Sequence, residues 1–326
     1  MQINISAVHH FLRFKSPFRI AHGVREGTNV VIVKAECEGK VGFGEASLPP
    51  YLPATVESTL NCLNQPILRQ IFFPFEIAKI MAQLDFNVSG EMPGKAAIEM
   101  ALWNLKSVLE NKPLNEIWKI EQKPNLIPHF YTIGIGNKHE METKISEAMS
   151  VGFDHFKLKL NGENDFETIK NFKSISNATF AVDVNQGWNS LDHANKVAEV
   201  LQESKCILIE QPFDKTDRSM SRELRNNFEI PIIADEACQV LPDLPGLFNS
   251  FDGINIKIQK CGGIVNALEM IKLARPEGQK ILIGCMSESS IGCGIAEQLT
   301  PLCDWADLDG PFLTVDILNP STLFEI

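Results

Sequence analysis

The pattern of apolar and polar positions changes twice along the chain. Residues 1–60 alternate as β-strands do, and residues 29–46 predict a hairpin that turns around Gly39. Over residues 55–119 apolar positions recur at helical spacing, and Pro113 ends or restarts the last of these helices. We therefore expect an α+β unit of a few strands followed by helices in the first part of the chain.

After Pro128 short apolar runs rich in β-branched residues alternate with helix-compatible segments. Eight such runs follow one another in about 180 residues. Strands that alternate with helices predict a parallel sheet, and near-continuous apolar strands are typical of a sheet that is covered on both faces. Eight units favour a closed α/β barrel of the (β/α)8 type over an open doubly wound sheet.

Polar residues stand at the carboxyl ends of these predicted strands, where barrels of this type carry their chemistry. Steps of 24, 27, 25 and 22 residues separate Lys159, Asp183, Glu210, Asp235 and Lys257. Each step is about one strand and one helix, so these side chains come from successive strands and converge on one mouth. The other polar residues at or near strand ends are Thr132, Lys157, Asn185, Glu236, Glu288, Asp307 and Asp309.

Three carboxylates on adjacent strands, Asp183, Glu210 and Asp235, would repel one another unless a cation neutralised them. A hard divalent cation with oxygen ligands fits such a group, and Mg²⁺ also leaves positions for water and substrate. The alternative is that these residues cap the N-termini of neighbouring helices, a common role for a single Asp. Three in register favour the metal site.

Lys159 precedes the carboxylates by one strand and Lys257 follows them by one strand. A lysine near a cation and near another ammonium, here that of Lys157, has its pKa lowered toward the range of a general base. One base on each face predicts proton abstraction next to a carboxylate, through a metal-stabilised enediolate, with return of the proton on the other face. That is racemisation or epimerisation. The alternative makes the lysines plain salt-bridge partners of the carboxylates.

Composition excludes several other classes of function. The net charge of −11 argues against a nucleic-acid partner, and no stretch is apolar enough for a signal peptide or a membrane span. The eight cysteines contain no C-x-x-C pair, so we expect buried free thiols in a cytoplasmic protein.

The chain resembles the enolase superfamily, in its muconate-lactonizing subgroup, over almost its whole length. The motifs are KLK at 157–159, DVNQGW at 183–188, IEQP at 209–212, ADEA at 234–237 and NIKIQKCGGI at 255–264. The resemblance implies a modified TIM barrel, (β/α)7β, over residues 120–311. It also implies an N-terminal α+β capping domain over residues 1–119, completed by a C-terminal segment of about 312–326.

The same resemblance implies roles for single residues. One Mg²⁺ per subunit would be held by Asp183, Glu210 and Asp235, and Asn185 would support these ligands. Lys159 and Lys257 would be the acid–base pair. A lysine base that acts with Mg²⁺ is already known for this superfamily. Lys157 would help to hold the substrate carboxylate, and Thr132 and Glu288 are further candidates for substrate binding.

The motif DLDGP at 307–311 resembles the D-x-D motif of dipeptide epimerases, in which two carboxylates bind the free ammonium of a dipeptide. We therefore expect a dipeptide epimerase that inverts the C-terminal residue. The alternatives are an N-succinylamino acid racemase or o-succinylbenzoate synthase, and, more remotely, an inactive metal-binding scaffold. Candidates for side-chain specificity in the capping loop are Arg19, His22 and Arg25, and the sequence leaves open whether the dipeptide is Ala-Glu or a neutral or hydrophobic one. A small dipeptide is the expected partner, with a homo-oligomer as an option.

Overall fold

A computed structural model of the chain describes residues 1–20, 23–121, 127–315 and 318–324. The strands in this part are β1 (Asn4–Ile20), β2 (Gly23–Cys37), β3 (Lys40–Leu48), β4 (Phe130–Ile133), β5 (His155–Lys159), β6 (Thr179–Asp183), β7 (Cys206–Glu210), β8 (Ile232–Ala234), β9 (Gly253–Lys257), β10 (Lys280–Gly284) and β11 (Trp305–Asp307). The helices in this part are α1 (Val56–Leu63), α2 (Ile77–Asn87), α3 (Met92–Glu110), α4 (Leu114–Ile117), α5 (Lys138–Ser150), α6 (Asp165–Ile175), α7 (Leu191–Glu203), α8 (Arg218–Asn227), α9 (Ile258–Cys261), α10 (Ile264–Ala274), α11 (Ser290–Glu297) and α12 (Gly310–Leu313). Short 3-10 helices cover Pro66–Gln70, Leu241–Gly246, Arg275–Glu277, Thr300–Leu302 and Thr322–Phe324.

Strands β1, β2 and β3 form an antiparallel sheet in that order. The predicted hairpin is confirmed, because Cys37 pairs with Lys40 across a two-residue turn. Glu38 and Gly39 both have positive φ, 49° and 76°, which is the requirement of a type I′ turn. The right-handed twist of that turn matches the twist of the two strands that it joins.

The central helix of this unit, α3, packs directly on strand β3. Glycine makes the close approach possible, because a Cβ at Gly44 would lie 2.0 Å from the carbonyl oxygen of Ala97. A Cβ at Gly42 would lie 2.2 Å from the backbone nitrogen of Leu105. The glycines of the sequence GFGEA therefore serve the packing of a helix on a sheet.

Strands β4 to β11 form a parallel sheet in chain order, and each corresponds to one of the predicted apolar runs. The sheet closes on itself where His129, just before β4, pairs with Ala306 of β11. Helices connect most neighbouring strands, while the β8–β9 connection holds the 3-10 helix Leu241–Gly246. The predicted barrel is confirmed. None of the described helices combines the length and the apolar character that crossing a membrane requires.

After the barrel the chain returns to the N-terminal sheet. Thr314 pairs with Phe14 of β1, and the backbone nitrogen of Val315 donates to the carbonyl of Arg13 at 2.9 Å. Leu318 packs on the face of the sheet that carries Leu12. The division into 1–119 with about 312–326, and 120–311, stays a prediction, and residues 316, 317, 325 and 326 lie outside the described part.

Glu99 of α3 joins the N-terminal unit to the barrel. Its carboxylate is buried and accepts hydrogen bonds from the backbone nitrogen of Val265, in the first turn of α10, and from the indole of Trp103, both at 2.9 Å. Burial outweighs these hydrogen bonds and raises the pKa of Glu99 to about 7. The folded protein therefore binds a proton here that the unfolded chain, with an ordinary pKa, does not.

We expect this proton uptake to appear in the pH dependence of stability. Because the pKa of Glu99 is raised in the folded state, the free energy of unfolding should rise as the pH falls from 8 to 6, by roughly 1 kcal/mol from this group. In Glu99→Gln that part of the slope should be absent. Urea unfolding at the two pH values measures it, with the exposed Glu203→Gln as the control, and an unchanged slope in Glu99→Gln would contradict the assignment.

Candidate active site

The carboxyl ends of the barrel strands surround one cavity of about 550 Å³. Of the residues predicted from the sequence, those that line it are Arg25, Thr132, Lys157, Lys159, Asn185, Asp235, Glu236, Lys257, Asp307 and Asp309. Asp183 and Glu210 lie just behind this lining and are fully buried. The predicted convergence on one mouth is therefore what the fold produces.

The period of two along each strand places these polar side chains. The barrel interior holds a buried apolar layer of Phe130, Ala181, Leu208, Ile233 and Leu282. In β4, β6 and β7, and directly after β8, the residue two positions beyond the layer residue also faces inward and is polar. It lies at the mouth, above that layer. An apolar layer thus closes the cavity from below, and the polar residues form its floor.

Three carboxylates meet at this floor. One oxygen from each of Asp183, Glu210 and Asp235 lies within 4.8 Å of the others, and all three residues are buried. Burial raises the pKa of Glu210 to about 7, and the neighbouring charge of Asp183 adds to that rise. Three acidic groups are therefore held closer together than their charges favour.

Two lysines contact opposite ends of the triad. The ammonium of Lys159 lies 2.5 Å from Oδ2 of Asp183, and that of Lys257 lies 2.7 Å from Oδ2 of Asp235. The strands follow one another from β5 to β9, so these two lysines stand on the two sides of the carboxylates. Burial opposes the ionisation of Asp183 and Asp235, but the lysines outweigh it and lower the pKa of both.

Lys157 lines the cavity and is paired with two carboxylates. Its ammonium bonds Asp307 and lies 3.0 Å from Oε2 of Glu210, and the whole side chain is buried. Burial lowers the pKa of Lys157, yet Asp307, Glu210 and Asp183 together raise it well above its ordinary value. The pair of ammonium groups in KLK is tolerated because each lysine has its own carboxylate partner.

The pKa of Lys257 depends on burial and on its charged neighbours. Burial lowers it, and Lys157 lowers it further, but Asp235 and Glu210 outweigh both and hold it well above the ordinary value. The predicted lowering of a lysine pKa is conditional on a cation held by the carboxylates, so it stays a prediction.

The donor set fits a hard divalent cation. It consists of three buried carboxylates with oxygen atoms within 4.8 Å of one another, which is the ligand type that Mg²⁺ prefers. Two more acceptors, Oδ1 of Asn185 and Oε2 of Glu236, are buried beside the triad without a donor among the described residues. The floor of the cavity therefore has oxygen acceptors that receive no hydrogen bond from the described residues.

Sequence reasoning missed two residues that hold the triad. Lys260 is buried and donates to the backbone oxygen of Asp235 at 2.8 Å and to its Oδ1 at 2.5 Å. Asn255 donates to Oε1 of Glu210 at 2.6 Å. Asn255 precedes Lys257 by two residues on the inward face of β9, so the strand period could have identified it. Nothing in the spacing marks Lys260.

Asp307 and Asp309 lie at the side of the cavity formed by β11 and β4. Asp309 accepts a 2.6 Å hydrogen bond from the backbone nitrogen of Thr132, whose hydroxyl lies 3.4 Å from Oδ1 of Asp307. Burial raises the pKa of Asp309 to about 7, and the charge of Asp307 adds to this. Two carboxyl groups thus share one end of the cavity, with one lysine, Lys157, bonded to Asp307.

Arg25 of β2 covers the cavity from the N-terminal sheet. Its guanidinium lies over the rings of Phe14 and Tyr51 at 5.5 and 5.6 Å, and Nη2 donates to Ser287 at 3.2 Å. Its Nε and Nη1 are buried without a hydrogen-bond partner among the described residues. Of the other two capping-loop candidates, His22 and the side chain of Arg19 lie outside the described part of the chain.

Glu288 is not brought to the cavity. Its carboxylate accepts hydrogen bonds from the backbone nitrogen of Met286 at 2.7 Å and from Nε2 of Gln259 at 3.0 Å. Because the side chain turns toward the N-terminal sheet, we do not propose Glu288 as a substrate ligand.

A closed parallel barrel with buried carboxylates between two lysines at its mouth is the architecture of a barrel enzyme with acid–base chemistry. Residues 2–118 match the family model of the mandelate racemase / muconate lactonizing enzyme N-terminal domain, and residues 140–304 match that of the enolase C-terminal domain-like family. The chain belongs to the enolase superfamily, as its motifs predicted.

Named relatives are found among both sequences and solved structures. The chain is 36% identical to an L-Ala-D/L-Glu epimerase of Bacteroides thetaiotaomicron over 93% of its own length and 78% of that protein. It is 33% identical to an L-Ala-D/L-amino acid epimerase of Maribacter sp., covering 97% of this chain and 93% of the other. A dipeptide epimerase of Enterococcus faecalis V583, complexed with Mg and L-Leu-L-Tyr, superposes with a TM-score of 0.89 at 29% identity, over 97% of this chain and 92% of that one.

Proposed function

We propose that the protein is a Mg²⁺-dependent dipeptide epimerase that inverts the α-carbon of the C-terminal residue by a two-base 1,1-proton transfer. The observation that carries this proposal is the content of one cavity. It is lined by Lys159 and Lys257 on opposite sides of the carboxylate triad, and by Asp307 and Asp309 at one end. The names of the relatives, which are epimerases of dipeptides, support the same activity.

The two lysines divide the reaction between the two faces of the substrate. One lysine in its neutral form takes the α-proton from its face, while the other in its ammonium form delivers a proton to the opposite face. Exchange of these roles gives the reverse reaction. The ion pairs of Lys159 with Asp183 and of Lys257 with Asp235 hold each Nζ atom at the floor, where the α-carbon must come within hydrogen-bond reach of both.

Asp183, Glu210 and Asp235 would hold one Mg²⁺ per subunit. When bound, Mg²⁺ supplies positive charge that stabilises the negative charge developing on the substrate carboxylate as the α-proton leaves. Lys260 and Asn255 orient Asp235 and Glu210 by the hydrogen bonds described above, which they donate to Oδ1 of Asp235 and Oε1 of Glu210. Lys157 keeps its ammonium between Glu210 and Asp307.

Asp307 and Asp309 would bind the free ammonium of the dipeptide. An ammonium group removed from water needs nearby negative charge, which the carboxyl groups of Asp307 and Asp309 supply at this end of the cavity. An N-succinyl substrate carries a negative arm in place of that ammonium, and the same two groups would repel it. We therefore place the dipeptide above the N-succinylamino acid and o-succinylbenzoate alternatives.

Arg25 would select an acidic side chain on the C-terminal residue. A guanidinium with two buried nitrogens, Nε and Nη1, that lack an acceptor among the described residues, on the wall of a substrate cavity, matches a carboxylate ligand. The Bacteroides relative is an L-Ala-D/L-Glu epimerase, which agrees with that specificity.

This assignment predicts a change of specificity in Arg25→Met, which keeps an apolar side chain against Phe14 and Tyr51. The kcat/KM for L-Ala-L-Glu should fall by roughly 10- to 100-fold, the worth of a charge-assisted hydrogen bond. The kcat/KM for L-Ala-L-Leu should stay within a few-fold of wild type. Equal losses for both dipeptides would show that Arg25 supports the fold of the cavity wall only.

A dipeptide library in D₂O with Mg²⁺ tests the proposed function. The expected result is deuterium at the α-carbon of the C-terminal residue, together with its inversion, for a subset of the dipeptides. N-succinyl amino acids are included in the same screen. Turnover of these without exchange in any dipeptide would overturn the proposal in favour of the racemase alternative.

A further inference from the structure

Gln259 connects three segments that are distant in sequence. It follows Lys257 by two residues in α9 and is completely buried. Its Nε2 donates to the carbonyl of Glu45 at 2.8 Å and to the carboxylate of Glu288 at 3.0 Å. Its Oε1 accepts from the backbone nitrogen of Ser47 at 3.2 Å. One amide group thus ties the turn after β9 to β3 and to the loop after β10.

The loop after β10 is itself bound to the N-terminal sheet. The backbone nitrogen of Ser289 donates to Glu45 at 2.9 Å, and its hydroxyl donates to the same carboxylate at 2.5 Å. The hydroxyl of Ser47 donates to the carbonyl of Ser287 at 2.7 Å. Because Ser287 lines the cavity, these contacts set the position of a cavity wall as well as the packing of the two units.

The turn after β9 is held from two sides. On the barrel side Lys260 donates to the carbonyls of Asn255 and Asp235 at 3.0 and 2.8 Å. Lys257 is the last residue of β9 and directly precedes α9, and its own side chain is directed into the cavity toward Asp235. Toward the N-terminal sheet, the side-chain hydrogen bonds of this turn among the described residues are those of Gln259.

We infer that Gln259 is a positioning residue for Lys257, through which the N-terminal sheet fixes the Nζ atom of this base over the substrate. The inference rests on the proposed two-base epimerisation. Gln259 touches neither the cavity nor the carboxylate triad, so it acts through the backbone of the turn. Displacement of a catalytic group by a fraction of an ångström to 1 Å slows a reaction by up to 10²-fold.

The test is Gln259→Met, which has similar volume and lacks all three hydrogen bonds. α-Proton exchange in D₂O is followed separately for the two epimers of a dipeptide that the wild type accepts. The epimer that Lys257 deprotonates, identified in parallel with Lys257→Ala, should exchange on the order of tenfold more slowly, because its base is displaced. The other epimer, deprotonated by Lys159, should keep most of its rate.

A matched control is Gln279→Met. Gln279 is equally buried, but its Nε2 donates to the carbonyl of Phe251 at the opposite end of the barrel. This variant loses a buried amide as well, so its exchange rates report general destabilisation. Both epimers should respond alike in it.

A second pair of variants restores the bond between Gln259 and Glu288 with its polarity reversed. Gln259→Glu alone places two carboxylates against each other and should show the same selective loss. Adding Glu288→Gln supplies an amide donor again and keeps an oxygen for the backbone nitrogen of Met286, so exchange should recover in part. No recovery, or equal slowing of both epimers in Gln259→Met, would overturn the inference. Absence of exchange in the wild type would overturn the proposed function first, and this inference with it.

Discussion

Replacing Lys257 by alanine should abolish epimerisation and still leave one epimer exchanging its α-proton with solvent. Loss of one general base or acid costs roughly 10²- to 10⁴-fold, so inversion should fall by at least the lower figure. Lys159 remains bonded to Asp183 on the other side of the triad, and it can take a proton from its own face and return it there. NMR of each epimer in D₂O measures exchange and inversion separately.

Lys159→Ala should give the mirror result, with exchange retained for the opposite epimer. Lys170→Ala, an exposed lysine of α6, serves as the control and should match the wild type in both measurements. Loss of exchange for both epimers in one variant, with exchange of both retained in the other, would point to one base acting on both faces. Retention of wild-type inversion in either variant would remove that lysine from the mechanism.

Glu210→Gln should remove both the activity and the stabilisation by Mg²⁺. The substitution keeps an oxygen for the 2.6 Å hydrogen bond from Asn255 but takes away one of the three carboxylates that form the cation site. In the wild type, Mg²⁺ at 100 times its Kd should add about 2.7 kcal/mol to the free energy of unfolding. In the variant that increment should be close to zero.

The same variant should behave differently when Mg²⁺ is removed with a chelator. Three buried carboxylates repel one another, so removal of one should leave the metal-free protein at least as stable as the metal-free wild type. Glu99→Gln, which removes a buried carboxyl outside the cation site, is the control and should retain the full response to Mg²⁺. An equal Mg²⁺ increment in Glu210→Gln would place the cation elsewhere.

The floor of the cavity could be predicted because two periodicities act together. The period of two along a strand directs Asp183 and Glu210 inward, and the length of one strand plus one helix brings the next strand end beside them. The positions of Lys159 and Lys257 at the mouth follow from the same two spacings. Local sequence therefore specifies which side chains meet at the mouth, since parallel strands in a barrel leave little freedom of register.

The supporting contacts follow no such period. Glu45 and Ser289 are 244 residues apart in the chain, and Ser47 and Gln259 are 212 apart. Glu288 stands close to a strand end, where spacing suggested a substrate ligand, yet the N-terminal sheet and Gln259 draw it away from the cavity. Lys260 bonds Asp235 because the short helix α9 turns its side chain back toward the triad.

The pKa of Lys257 shows the same division. The position of Lys257 could be predicted from the sequence. The direction of its pKa shift depends on the balance between burial, Asp235, Glu210 and Lys157. That balance is a matter of distances in a medium of low dielectric constant, where small changes of position alter the energy strongly.

The sequence by itself determined the barrel, the order of its strands and the residues that face one another at its mouth. Repeating patterns of hydrophobicity and spacing carry this information, because every unit buries an apolar face in the same way. The tertiary structure alone decided how the N-terminal sheet is joined to the barrel, which carboxylate each lysine bonds, and which wall Arg25 forms. These depend on single contacts between surfaces that are brought together only by the folded chain, and no period in the sequence records them.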